Sequence, residues 1–427
     1  MSDIKAFQNF LDTSVSAYHA TANLMAMLAA EGYTRLYEHE TWNLQRGGKY
    51  YLVRGGTTLL AFRVPEGSPR GFMMSACHTD RPTFKLKENC ELRGEYTRLA
   101  TEGYGGMIMS SWMDRPLSIA GRVMVETENG VEGKLINIDQ DLMLIPNVAI
   151  HMNRSVNDGY KWNPGVDTIP LLGGSDDADK FWPLVEQTAG GKILGHDLYL
   201  YVRHKSSVWG IDGEFISGPA LDDLACAWGT IQGFLKAEPS QAVPVLCAFD
   251  DEEVGSNSPQ GAASTILEFT LERICAAVGA DIHTMLAQSF LVSADNAHAM
   301  HPNHPELADK ANAPIMGRGV VLKFNAAHRY TTDGVSASVF RRICGRAGVP
   351  LQIYTNRPDI RGGSTLGHIS LTHVSVPTAD IGLPQLAMHS SYETAAVADL
   401  DHLEQAMTAF FGAALEVARD GGCIIHG

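Results

Sequence analysis

Apolar positions change their spacing several times along this chain. Ile4, Phe7, Phe10 and Leu11 recur at helical intervals, and His19 to Ala30 is rich in helix formers and stops before Gly32, which predicts two opening helices. YYLVRG, TTLLAFRV and GFMMSAC follow as short β-rich runs divided by turn residues. The last is apolar almost throughout, as expected of a strand covered on both faces. From 88 to 215 the pattern is short strands and glycine-punctuated turns (GRVMVET, EGKLINI, DLYLYVR), interrupted by aspartate-rich loops such as GGSDDADKF. One short helix is predicted near Phe181 to Thr188. Strands and amphipathic helices then alternate. AVPVLCAF, FLVSAD, GVVLKFN and VSVPTADIG read as strands; LACAWGTIQGFLKA, SASVFRRICGRAG and LEQAMTAFFGAALEVARD read as helices.

Such alternation predicts an α/β fold, a mixed and largely parallel sheet flanked by helices, interrupted by a β-rich inserted domain. The expected division is 1–87 for the first part of the α/β domain, 88–215 for the insert and 216–427 for the second part. A chain of 427 residues is long enough for two cores.

Charge removes some partners from consideration. The formal net charge of −15 argues against nucleic acid or an anionic membrane, both of which attract basic patches. MSDIKAFQNFLDTS does not read as a signal peptide, and no apolar run approaches the length of a membrane span. The seven cysteines are scattered and never form C-x-x-C, so no disulfide framework or zinc knuckle is expected. A reducing compartment follows, the cytoplasm.

The candidate chemistry lies at strand ends. FMMSAC runs into His78-Thr79-Asp80, VPVLCAF into Asp250-Asp251-Glu252-Glu253, and FLVSA into Asp295. ADIG leads through LPQLAM to His389, and GPALDDLACAW places Asp222 and Asp223 where a loop enters a helix. In open α/β sheets, ligands sit beyond the carboxyl ends of the strands. Singly, each piece has a plainer reading as a capped turn, a core histidine or a helix N-terminus. Together the acids would crowd a dry crevice unless divalent cations compensate them. Two cations sharing one carboxylate and one water need a bridging acid, a carboxylate and a histidine each, and a free acid for protons. Asp222 suits the bridge, His78 and Asp295 one ion, Glu253 and His389 the other. Glu252 is then the general base, and Asp80 the carboxylate that holds the second nitrogen of His78. Such ligands accept Zn, Mn or Co.

SACHTD, GPALDDL, FDDEEVGS, LVSADNAHAMHPNH and DIGLPQLAMHSSYE, in this order, resemble the aspartyl aminopeptidase family of two-metal (zinc) aminopeptidases. The resemblance runs from YHATANL to the C-terminal helix. It implies a zinc-exopeptidase-like fold with a β-rich insert, and a peptidase that removes an N-terminal residue, preferentially Asp or Glu, from peptides with a free N-terminus. It also implies a tetrahedral homododecamer. By the same resemblance His151 in the insert reaches a neighbouring subunit's site, Lys323 lies near the pocket for the acidic side chain, and His298 and His301 line the site. Read alone, His151 is a packed insert residue and Lys323 a snorkelling surface lysine.

Departures from the family pattern are Arg81-Pro82-Thr83-Phe84 where a serine and a cysteine are common, LDD for LDN, and PDIRGGSTLGH with Arg361 and His368 in place of small residues or proline. No predicted ligand is lost. Arg81 and Arg361 put the acidic preference and pocket size in question, which leaves a related two-metal aminopeptidase or N-acyl amidase of non-acidic specificity as the alternative.

Overall fold

The structure is a computed structural model that describes residues 3–360, 362–363, 365–370 and 372–427. Arg361 lies outside the described residues. Asp3 caps the first helix, Ile4–Thr13, accepting from the backbone N–H of Lys5 and Ala6 at 3.0 and 3.1 Å. That helix buries Phe7, Phe10 and Leu11, and a second, Ala17–Ala30, follows.

A nine-stranded sheet forms the core of the α/β part. Its order is Thr34–Leu36, Lys49–Arg54, Thr58–Arg63, Val243–Phe249, Phe72–His78, Phe290–Ala294, Thr378–Gly382, Val320–Phe324 and Leu351–Thr355. The four strands from Val243–Phe249 to Thr378–Gly382 are mutually parallel, so their carboxyl ends lie side by side. The strands flanking this quartet run antiparallel to it. Side chains alternate between two hydrophobic clusters. Met73 and Cys77 join Leu246, Val292 and Ile381 on one face; Phe72, Met74 and Ala76 join Val245, Phe249 and Leu291 on the other. Both faces are covered, which is why GFMMSAC shows no polar alternation.

Helices Leu221–Lys236 and Val397–Phe411 lie against the first face and Ile266–Val278 against the second. The first two meet closely. A Cβ on Gly229 would stand 2.7 Å from Leu403 Cδ2, and one on Gly233 2.5 Å from Met407 Cβ. Glycine is what admits this approach.

The insert is a six-stranded antiparallel sheet in the order Gly130–Asn137, Leu117–Thr127, Ile193–Val202, Thr83–Leu92, Tyr96–Tyr104 and Leu171–Gly174. Helix Phe181–Ala189 packs on it through Phe181, Val185 and Ala189. The sheet takes in Thr83 to Val202, starting and ending earlier than the 88–215 segment read from the pattern. Ser207–Trp209 and Phe215–Gly218 belong instead to a five-stranded sheet with Glu393–Ala396, Pro384–Leu386 and Ala297–His298.

One predicted helix is shorter than its apolar pattern. LEQAMTAFFGAALEVARD is helical only to Phe411, after which Ala414–Val417 pairs antiparallel with Cys423–His426. Ala414 and Leu415 are buried in the same core cluster, so burial sustains the apolar run beyond the point where the helix stops. Among the described residues no helix is long and apolar enough to cross a membrane.

Candidate metal centre

Parallel strand ends deliver most of the site. His78 closes Phe72–His78, the Asp250–Glu253 turn follows Val243–Phe249, and Asp295 follows Phe290–Ala294. Asp222 and Asp223 occupy the mouth of Leu221–Lys236 with non-helical backbone angles, and the peptide between them is cis. His389 sits in the loop between Pro384–Leu386 and Glu393–Ala396. Non-glycine residues beside the site hold a left-handed backbone, among them Ala220, Asp251, Ala387 and His389, with φ of 57°, 61°, 57° and 66°.

These side chains converge. Single donor atoms of His78, Asp222, Asp223 and Asp295 lie within 4.8 Å of one another, and the same holds for His78, Glu252 and Glu253, and for Asp222, Glu253 and His389. Asp222 stands between two imidazoles. Its Oδ1 is 3.5 Å from His78 Nε2 and its Oδ2 3.6 Å from His389 Nε2, while His389 Nε2 is 3.4 Å from Glu253 Oε2. Two donors each about 2.1 Å from one tetrahedral cation stand about 3.4 Å apart, so these separations fit shared cations better than direct hydrogen bonds. Asp222 Oδ1 and Glu253 Oε1 are buried with no hydrogen-bond partner among the described residues. Orphaned carboxylate oxygens beside imidazole are the donor set that zinc takes.

The electrostatics agree. Burial, opposed in part by His78 and reinforced by Asp295, Asp80 and Asp222, pushes Glu252 up to about 8. Burial likewise raises Asp295 to about 6, against the opposing pull of Lys323, and lifts Glu253 well above the carboxylate range. Asp222 and Asp80 go the other way: burial raises both, but the neighbouring His78 holds them below their ordinary values. His78 itself is held well above its ordinary value by Asp222 and Asp80 despite burial. So dense a group of acids favours a cation among them.

Supporting groups fix the donors. His78 Nδ1 lies 3.3 Å from Asp80 Oδ1, the contact read from the sequence, and also 3.2 Å from the Asp80 carbonyl. Asp80 further accepts from the backbone N–H of Glu252 and Glu253 at 3.2 and 3.1 Å. Sequence reasoning missed four partners. Tyr104, ending an insert strand, donates its hydroxyl to Asp80 at 2.8 Å. Asp223 accepts from the His78 N–H at 3.1 Å. Glu393 accepts from the N–H of Asp222 at 2.9 Å and of His389 at 2.7 Å, and the Gly106 carbonyl lies 2.5 Å from His389 Nδ1. Glu393 stands in the quoted SSYE and Tyr104 in TEGYGG, but neither carries a periodic signal. The segment Tyr104 to Ser111 straps both halves of the site: Ile108 N–H donates to the His389 carbonyl at 3.0 Å and Ser111 Oγ accepts from Ser391 N–H at 2.8 Å.

A cavity of about 230 Å³ opens on the donors, lined also by His298, Lys323, Tyr330, Thr365 and Met388. Lys323 is no surface lysine. It is 2% exposed, donates to the Asp295 carbonyl at 2.7 Å and lies 5.1 Å from the centre of the Tyr330 ring. His298 is exposed at the rim, and His301 lines the adjoining cavity beyond it. His151 is exposed in the Ala149–Asn153 turn of the insert and is not among the residues lining its own subunit's metal cavity. Arg81 does not line that cavity either; it is buried, and its Nη2 donates to the Ser14 carbonyl.

An α/β sheet that gathers imidazole and carboxylate donors at its parallel strand ends defines a metallohydrolase. The family described as aminopeptidase I zinc metalloprotease (M18) matches residues 10–411. A probable M18 family aminopeptidase 2 from Clostridium novyi (strain NT) is 42% identical over 407 residues, 92% of this chain and 94% of that relative. Of solved structures, a chain of the Ape4 and Nbr1 complex has a TM-score of 0.92 at 33% identity, covering 96% of this chain and 85% of its own. The S. cerevisiae mApe1 dodecamer gives 0.84 at 26%, with 96% of each chain covered. This chain belongs to the M18 family and is a metallo-aminopeptidase, as its five motifs imply.

Proposed function

We propose that this aminopeptidase binds two divalent cations per subunit and removes an N-terminal residue, preferentially Asp or Glu, from peptides with a free N-terminus. The observation that carries the reading is Asp222, with one carboxylate oxygen toward His78 and the other toward His389. His78 and Asp295 would hold one ion and Glu253 and His389 the other, with Asp222 between. Zinc fits these donors and the family, and Mn or Co would be accepted by the same ligands. When bound, the cations supply Lewis acidity that polarises the scissile carbonyl and makes a water easier to deprotonate. Glu252 lines the cavity and takes the proton of the attacking water on its carboxylate, then hands it to the leaving amine nitrogen. Asp80 fixes Glu252 and Glu253 through their N–H groups and orients His78.

Lys323 supports the acidic preference: it is the only Lys or Arg among the described residues lining the metal cavity. Turnover of Asp-, Glu- and Leu-anilides tests this, with the acidic two favoured; equal rates on all three would defeat it.

A homo-oligomer, in the form of a tetrahedral dodecamer, is part of the same reading. It is supported by the similarity to the S. cerevisiae mApe1 dodecamer and by the exposure of His151, which on this reading reaches a neighbour's substrate carbonyl. Oligomerisation and closure of the site are the roles we assign to the insert. The compartment proposed is the cytoplasm, consistent with seven unpaired cysteines, six of them buried.

A further inference from the structure

Arg81 follows Asp80 in sequence but does not line the metal cavity. Its side chain lines a separate cavity of about 150 Å³ where the end of the first helix meets the insert sheet and the segment before Leu221. Asp12, Asp139, Arg203, His204 and Lys205 share that cavity. Arg81 is 9% exposed. One guanidinium nitrogen, Nη2, donates to the Ser14 carbonyl, and no carboxylate among the described residues stands at ion-pair distance. The two acids that most influence it are engaged elsewhere. Glu393 accepts from the N–H of Asp222 and His389, and Asp80 from Tyr104, Glu252 and Glu253. Burial pulls Arg81 down to about 10, the mark of a charge with little compensation.

The other charges lining the cavity are only partly matched. Arg203 pairs with Asp139 at 3.0 Å and Asp141 at 2.8 Å. Asp12 accepts from the Ser206 N–H at 2.8 Å. Lys205, exposed, makes no ion pair among the described residues. Two cations thus face one carboxylate already bound to a backbone N–H. A guanidinium presents a planar fork of donors that matches oxyanions, and a charge withdrawn from water needs a partner.

We propose that this cavity is a binding site for a small oxyanion, held on the Arg81 guanidinium with Lys205 adding charge from the rim. Carboxylates and tetrahedral sulfate or phosphate share the required chemistry.

The test uses the full-length, zinc-loaded protein, with thermal melts and calorimetric titrations in sodium sulfate, sodium acetate and sodium chloride at equal ionic strength. Sulfate or acetate should raise the melting temperature saturably beyond chloride, and the stronger of the two tells the tetrahedral from the planar ligand. Arg81→Gln should abolish the saturable effect. Lys205→Gln should weaken binding several-fold while leaving anilide turnover at the wild-type level. No saturable effect beyond chloride in the wild type overturns the proposal, because water alone then solvates Arg81. Undiminished binding in Arg81→Gln overturns it too; should that variant fail to fold, undiminished binding in Lys205→Gln decides the same way.

Discussion

Tyr104, at the end of an insert strand, donates its hydroxyl to Asp80 at 2.8 Å. Asp80 is the carboxylate that also holds His78 and the Glu252–Glu253 turn. The insert therefore helps to organise the site of its own subunit.

Removing that hydroxyl tests the link. Tyr104→Phe keeps the ring against Tyr199 but frees Asp80 on one side. Loss of such an outer contact typically costs about 10- to 100-fold in activity or metal affinity. Steady-state kinetics with zinc analysis should find kcat reduced on that scale with KM little changed. Wild-type kcat at wild-type zinc content would show the contact to be idle.

Glu252→Gln removes the proposed base and keeps a side chain of equal size. Turnover should fall about 10²- to 10⁴-fold, the usual contribution of a positioned acid–base group, with metal content unaltered. Single-turnover assays beside metal analysis read both quantities. A variant of normal rate would take the role away from Glu252.

The raised carboxyls give stability a pH dependence of definite sign. Glu252 at about 8 and Asp295 at about 6 hold protons in the folded, metal-stripped protein that the unfolded chain has released. Their contribution is fully present below the unfolded carboxylate range and is lost as pH rises toward about 8. Ligand deprotonation works the other way for metal affinity, which climbs with pH. The rise in melting temperature on adding zinc should be larger at about pH 8 than at about pH 6. Melts with and without zinc at both values check this; a constant difference would contradict the assigned protonation.

Packing offers a contrast between two glycines. Gly233→Ala would put a Cβ 2.5 Å from Met407 Cβ and 2.7 Å from the Thr408 nitrogen, and should destabilise by about 1–3 kcal/mol. Gly345, in helix Gly334–Ala347, has nothing within 4 Å of its would-be Cβ, and its change to Ala should stabilise by about 0.5–1 kcal/mol. Urea unfolding of the two variants reads both signs.

The sequence made the core strands legible because burial on both faces leaves no polar position, as in Phe72–His78. It made the candidate donors, which the structure brings together, legible because an apolar strand running into His or Asp is a local pattern. The partners of those donors were not legible. Glu393 reaches Asp222 across 171 positions and Gly106 reaches His389 across 283, and no spacing rule connects such pairs. The first strand of the insert sheet shows no clean pattern, because Thr83–Leu92 mixes buried Phe84 and Leu86 with exposed Lys87 and Glu88. Arg81 puts the acidic preference in question by its place next to Asp80 in sequence, yet it does not line the metal cavity. Asp80 holds His78 and the Glu252–Glu253 turn, whereas Arg81 lines the cavity at the end of the first helix.

The number of metal ions per subunit, measured by elemental mass spectrometry on zinc-saturated protein and on Asp222→Ala, bears on the central claim most directly. Two ions in the wild type, with Asp222→Ala losing at least one of them and nearly all activity, is the predicted result. A fully active wild type holding a single ion, or an Asp222→Ala variant that keeps both, would contradict it.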